Sequence, residues 1–253
     1  MGGNGVSGPT YTEKFCFGTA CIDKMPIGCA NKVQGIDVKS GIIGLAFGGG
    51  NSFKPSRAPT FMEMLEPSLP SPVMVTNFKV GGGGSMDFGH VDTSLYYGAL
   101  QKVTADSGPT AKYANSWSLE NVQYTSGGKN LGSFNIVFDT GGPMTSGPIG
   151  AVRAYYAQIP GARDTKGDGS IWMVPCKSNM PDLILRFPNG AFALIPGAEF
   201  LINGDRTSSS ECQSWFVKEN SKDRAVIGDP FWNKHVVIFN QKDSSISWAN
   251  KAF

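Results

Sequence analysis

Histidine is nearly missing from this 253-residue chain: His90 and His235 are the only two, and they lie far apart in sequence. A Ser-His-Asp arrangement would need one of them beside a particular acid, so nucleophilic catalysis of that kind is disfavoured from the start. Neither histidine stands at metal-ligand spacing from Cys176 or Cys212. The glycine run Gly48-Gly49-Gly50 lacks the Lys-Ser/Thr that follows in a phosphate loop. No metal and no cofactor is therefore expected. Charge is also scarce, at 17% Asp, Glu, Lys and Arg with a net of +2, and no basic stripe stands out, so neither a nucleic-acid nor a membrane partner is expected. Apolar runs are of strand length and none approaches a membrane-crossing helix. There is no Asn-x-Ser/Thr sequon, and Met1-Gly2-Gly3-Asn4 is polar and glycine-rich, unlike a signal peptide.

What is abundant is glycine, 33 residues, with 16 prolines and 40% hydrophobic residues. That mixture suits a turn-rich β protein with a real core rather than a disordered chain. Residues 10–17 and 20–30 alternate well enough for a hairpin. Phe17-Gly18-Thr19-Ala20 reads as its two-residue turn, with Gly at the first central position as type II′ requires. Cys16 then faces Cys21 in the non-hydrogen-bonded pair, where side chains approach most closely and a disulfide fits. Residues 42–47 read as a buried strand. Thr60 and Glu63 form the capping box of a short helix that Pro67 stops. Residues 73–80 read as a strand, and Gly81-Gly82-Gly83-Gly84-Ser85 as a hairpin turn after it. Residues 149–158 read as a helix. The tryptophans, Trp117, Trp172, Trp215, Trp232 and Trp248, read as core and cleft-edge residues. His235 is expected to face solvent.

One motif carries chemistry. Phe134-Asn135-Ile136-Val137-Phe138 is an apolar strand that delivers Asp139 into the turn Thr140-Gly141-Gly142. An aspartate can stand at such a turn merely to cap it. The surrounding pattern argues for more. Ala225-Val226-Ile227-Gly228-Asp229 is a second apolar strand closing on glycine, and Gly41-Ile42-Ile43-Gly44-Leu45-Ala46-Phe47 repeats its pattern upstream. Met86-Asp87-Phe88-Gly89-His90-Val91-Asp92, Tyr155-Tyr156-Ala157-Gln158-Ile159-Pro160-Gly161-Ala162, Pro181-Asp182-Leu183-Ile184-Leu185 and Gly2-Gly3-Asn4-Gly5-Val6-Ser7-Gly8 follow in register. Together these resemble the pepsin-like aspartic peptidase family, in its fungal form, over essentially the whole chain.

The resemblance implies an all-β acid-protease fold lacking the first half of its N-lobe. Residues 1–98 would be a partial N-lobe and 99–253 a C-lobe. It makes Asp139 a catalytic position, with Thr140, Gly141, Gly142, Ile227 and Gly228 as its supporting loop. Gly2, Gly3, Asn4 and Gly5 become a flap remnant. It also pairs Cys176 with Cys212. Cys29 is then left over and reads as a buried small hydrophobe, and Asp229 reads as a turn residue before Pro230. Two bridges and the family suggest the secretory pathway, whereas Met1-Gly2-Gly3-Asn4 argues against it.

Two departures matter. The family's chemistry needs two carboxylates that share a proton, and this sequence has one Asp-Thr-Gly. The Ser or Thr that the family places after that tripeptide is Gly142 here. The expectation is an aspartic endopeptidase homologue that is not self-sufficient. The alternatives are a peptide- or ligand-binding pseudo-peptidase, or an enzyme using Asp139 as a lone general acid or base on a small molecule. The expected partners are a peptide or small-molecule ligand in the cleft, and a second chain or second copy covering the exposed N-lobe edge.

Overall fold

Strand-length apolar runs punctuated by glycine and proline can bury themselves only by pairing, and here they pair into two main sheets. The computed structural model describes residues 5–34, 41–51, 53–79, 82–107, 112–202 and 210–252. The larger sheet has seven strands. In spatial order they are Phe192–Ile195, Leu183–Arg186, Ser118–Ser126, Lys129–Phe138, Arg224–Ile227, Thr145–Gly147 and Phe216–Lys218. The second has five: Gly84–Phe88, Val73–Phe78, His235–Asn240, Ser245–Lys251 and Tyr96–Thr104. Residue 98 falls inside the last of these, so segments before and after it share one sheet. This is the pepsin-like architecture that the motifs imply.

One hydrophobic core reaches across both sheets, and its centre is aromatic. Phe138 lies 5.4 Å from Phe231 and 6.3 Å from Trp248, ring centre to ring centre. Trp232 and Trp248 are buried, as are Trp117 and Trp172, and Trp215 is half-buried. Each such ring stabilises the fold by about 2–3 kcal/mol through burial alone. Phe138 immediately precedes Asp139, so the residue that anchors the strand in the core also fixes where the carboxylate emerges.

The short elements follow their local chemistry. The helix Phe61–Leu65 begins with a complete capping box, the Glu63 amide donating to Thr60 Oγ1 at 3.2 Å and the Thr60 amide to Glu63 Oε2 at 2.8 Å. It gives way at Glu66 to a 3-10 turn containing Pro67. The helix Ile149–Tyr156 matches the expected segment within two residues. Val73–Phe78 and Gly84–Phe88 form the glycine-turn hairpin, whose Gly81 lies outside the described residues. In the hairpin Thr10–Phe17 and Ala20–Gly28, Cys16 faces Cys21 and the two are bridged, with Gly18 at φ +60. Cys176 and Cys212 are bridged as well.

Three expectations need correction. Residues 42–47 are not a strand, and Ile42 is 77% exposed. An extended run becomes a strand only when its amides find a neighbour, and among the described residues none pairs with it. Its backbone is instead tied to the Trp117 region: the Phe47 amide donates to Asn115 O, and the Trp117 indole to Leu45 O. Cys29 is exposed rather than buried, since it follows Gly28 at the exposed end of the strand Ala20–Gly28. His235 is buried rather than solvent-facing. Its ring stacks on Phe231 at 4.3 Å, and its Nδ1 lies 2.9 Å from Phe231 O. Successive residues of the strand His235–Asn240 are buried from His235 to Phe239, so both faces of the strand are covered and neither is left for water.

Candidate active site

Asp139 emerges where three backbone segments converge. Its own strand, Lys129–Phe138, runs parallel to Arg224–Ile227 with Phe138 opposite Ile227. The pairing continues one step further, because the Asp139 amide donates to Ile227 O at 3.0 Å. The chain then turns sharply, with the Gly142 amide donating to Asp139 O at 3.1 Å. The side chain is oriented from within the same turn, the Gly141 amide donating to Asp139 Oδ1 at 2.9 Å. The carboxylate is exposed.

Gly228 holds the opposite side. A side chain there would collide with the backbone carbonyl oxygens of Gly142 and Met144. The requirement is close approach of two backbones, not an unusual φ. Directly after it the Asp229 amide donates to Gly142 O at 2.9 Å, which locks the two loops together. Thr140, Gly141, Gly142, Ile227 and Gly228 are therefore gathered around Asp139. Gly2, Gly3 and Asn4 lie outside the described residues. Gly5 opens a short strand, Gly5–Ser7, paired with Lys32–Gln34, and does not line the cleft beside Asp139.

The sequence reading missed Asp229 as an electrostatic neighbour. It is not a simple turn residue: it opens the short helix Asp229–Trp232. Burial pushes its carboxyl above the usual carboxylate range, and the negative charge of Asp139 pushes in the same direction. The signal was present in outline. With Ile227 opposite Phe138, an acid two residues beyond Ile227 must come out near the turn that begins one residue beyond Phe138. Asp139 is thus not without an acidic neighbour, although this one is held on the segment bonded to Asp139's own turn.

The histidines take no part. His90 is exposed, and neither it nor His235 lines the cleft. Burial pulls His235 down to about 4, the Lys234 and Lys251 charges add to this, and its hydrogen bond to Phe231 opposes it. Among the described residues no cluster of His, Cys, Asp and Glu could hold a metal.

One flank of the Asp139 turn borders a cavity of about 590 Å³, lined by Ile43, Leu45, Phe61, Phe88, Trp117 and Phe239 among others. The segment 41–46, unpaired among the described residues, contributes to its wall. No sequence pattern announced this cavity. Its lining brings the Asp139 turn together with segments far from it in the chain, and no one motif shows that they meet.

The geometry has counterparts among known proteins. The family model for eukaryotic aspartyl protease matches residues 1–251. A probable aspartic-type endopeptidase of Arthroderma benhamiae is 31% identical over 260 residues, covering 98% of this chain and 59% of that protein. Penicillopepsin-2 of Penicillium janthinellum is 27% identical over 252 residues, covering 98% of this chain and 62% of that protein. The chain thus spans about three fifths of the length of these curated relatives. The crystal structure of aspartic proteinase from Irpex lacteus superposes with a TM-score of 0.83 at 19% identity, covering 100% of this chain and 80% of that one, which supports the fold. With the strand-borne Asp139 turn and its partner strand in place, the chain belongs to the eukaryotic aspartyl protease family.

Proposed function

We propose that this chain is an aspartic-type endopeptidase homologue in which Asp139 is one half of a catalytic pair, and that it hydrolyses peptides only when a second carboxylate is brought to Asp139. The observation that carries this reading is the presentation of Asp139: a solvent-reachable carboxylate, oriented by the Gly141 amide, on a turn locked by the strand ending at Ile227 and by Gly228. Peptide hydrolysis by this chemistry needs one carboxylate to take a proton from water while another donates to the scissile carbonyl. Asp229 is a poor substitute. Its amide is bonded into the Asp139 loop and its carboxyl is half-buried at the start of a helix, on the same side as Asp139 rather than across a cleft.

The same reading divides the chain into a partial first lobe over 1–98 and a second lobe over 99–253. Residues 41–47 keep the apolar pattern of 225–228, yet among the described residues they lack the strand partner that Lys129–Phe138 gives the latter. A second segment or chain seated along them would cover that edge and could carry the missing acid.

The test is a peptidase assay on denatured protein at acid pH. The chain alone is expected to show no pepstatin-sensitive cleavage. Adding, as a separate polypeptide, an N-lobe segment from a curated relative with its own Asp-Thr-Gly strand is expected to restore cleavage, and Asp139→Asn to abolish it again. Robust cleavage by the chain alone that is lost in Asp139→Asn would overturn the reading, as would cleavage by the mixture that survives Asp139→Asn.

A further inference from the structure

One end of the five-stranded sheet gathers Lys79, Lys234 and Lys251 into a row. Successive residues of a strand face opposite ways, so Lys234 shares the face of Val236 and Ile238. Those two form a small apolar cluster with Val73 and Val75, apart from the main core that takes Val237 and Phe239. The pairing of His235 with Asn250 carries on for one more step, the Lys251 amide donating to Lys234 O at 3.1 Å. Lys234 and Lys251 therefore stand opposite one another on adjacent strands. On the other side of Lys234, the register that sets Thr76 against Val237 leads to Lys79. The Lys251 ammonium crosses the intervening strand and donates to Phe78 O, next to Lys79. Like charges placed opposite one another across strands repel. Lys251 is half-buried, whereas Lys79 is exposed. Burial pulls the Lys251 ammonium down to about 8; the Glu199 carboxylate opposes this and the Lys79 charge adds to it. Tyr96 faces Lys251 from the next strand, and His235, on the other face, stays neutral at neutral pH.

We propose that Lys251 is an acyl-acceptor site, modified by activated acyl groups carried on a phosphate, with Lys79 and Lys234 drawing the anionic donor to it. A lysine becomes a nucleophile when burial or a neighbouring cation keeps a share of it as free amine. Lys251 has both. Its amine attacks the acyl carbonyl carbon. A C–N bond forms, the C–O bond to phosphate breaks, phosphate leaves with the electron pair, and the proton shed by nitrogen passes to water. The amide formed is neutral, so the row loses one of its repelling charges. Local positive potential concentrates an anionic donor and does nothing for a neutral one. The reaction involves neither Asp139 nor a second carboxylate, and it stands apart from peptide hydrolysis.

Incubating the purified chain with acetyl phosphate near neutral pH, then mapping peptides by mass spectrometry, reads the initial acetylation rate at each lysine. An amine held at about 8 has about a hundredfold more free base there than an ordinary lysine, and weaker nucleophilicity and half-burial take back part of this. Lys251 is therefore expected to outpace the median lysine by about tenfold. Its rate is expected to level off above about pH 8, while those of exposed lysines go on rising. In denaturing urea the lead is expected to vanish. The lead is also expected to be smaller with the N-hydroxysuccinimide ester of acetic acid, a neutral donor. Lys79→Gln, at an exposed position, is expected to narrow that difference between donors, and adding Lys234→Gln to remove it. Acetylation of Lys251 no faster than the median, a lead that persists in urea, the absence of a plateau, or a lead indifferent to donor charge would each overturn the proposal. Peptide cleavage is not read, so failure here leaves the peptidase reading standing, and failure of the complementation assay leaves this one standing.

Discussion

A single backbone contact sets the position of the candidate catalytic carboxylate. Gly228 lets the strand Arg224–Ile227 run into the carbonyl oxygens of Gly142 and Met144, and the Asp229 amide then bonds Gly142 O. The atoms a Cβ would strike belong to backbone, which cannot rotate away as a side chain can. Gly228→Ala is therefore expected to cost about 2–4 kcal/mol of stability, because relieving the clash must separate the two loops. Urea denaturation measures the loss; a value within about 0.5 kcal/mol of the parent would mean that the loops are not locked as described. The need for glycine at 228 was legible in the sequence, since an apolar strand ending in glycine beside a Thr-Gly-Gly turn signals close backbone approach. The identity of the atoms approached was not.

At the scale of elements, the two disulfides constrain very different lengths of chain. Cys16 and Cys21 are 5 residues apart on facing positions of one hairpin, whereas Cys176 and Cys212 are 36 apart. Loop-closure entropy grows with the logarithm of the loop, so the short bridge is worth about 2 kcal/mol and the long one about 4 kcal/mol. Replacing both members of a pair by alanine is expected to lower stability in that order. Equilibrium unfolding in urea compares them, and an equal or reversed order would show that strain or contacts, not chain entropy, govern these bridges. The hairpin register and the Cys16–Cys21 pair could be read locally, because a two-residue turn fixes every cross-strand partner. The segment 41–47 could not. Its apolar pattern is that of a strand, but strand formation depends on a neighbour supplied from elsewhere, and among the described residues that neighbour is absent.

At the scale of the whole molecule, His235 couples the fold to pH. It is buried in the central strand of the five-stranded sheet, and its folded-state value is held at about 4 against an ordinary 6.5. Between these values the unfolded chain binds more protons than the folded one, so protonation favours unfolding. The stabilisation is complete above about pH 6.5, drains away as pH falls toward 4, and amounts to about 3 kcal/mol over that window. His235→Gln is expected to remove this part of the pH dependence. Comparing unfolding of parent and variant at both ends of the window isolates it from the carboxylates, which titrate in both. Parallel stability curves for the two proteins would refute the role assigned to the imidazole.

The sequence by itself determined the all-β class, the capping box, the hairpin pair of cysteines, and the strand-and-turn that delivers Asp139. Each is written in residues close together in the chain, or in paired motifs whose spacing a fold must respect. Folding in three dimensions set that His235 is buried, that Cys29 is exposed, that residues 41–47 find no strand partner among the described residues, and that Asp229 lies within reach of Asp139's charge. It alone decided the apolar cavity, whose wall combines residues as distant as Phe17 and Phe239. The division has one physical cause. Turn chemistry and capping act over a few residues, whereas burial, strand pairing and electrostatic fields depend on which distant segments the folded chain brings together.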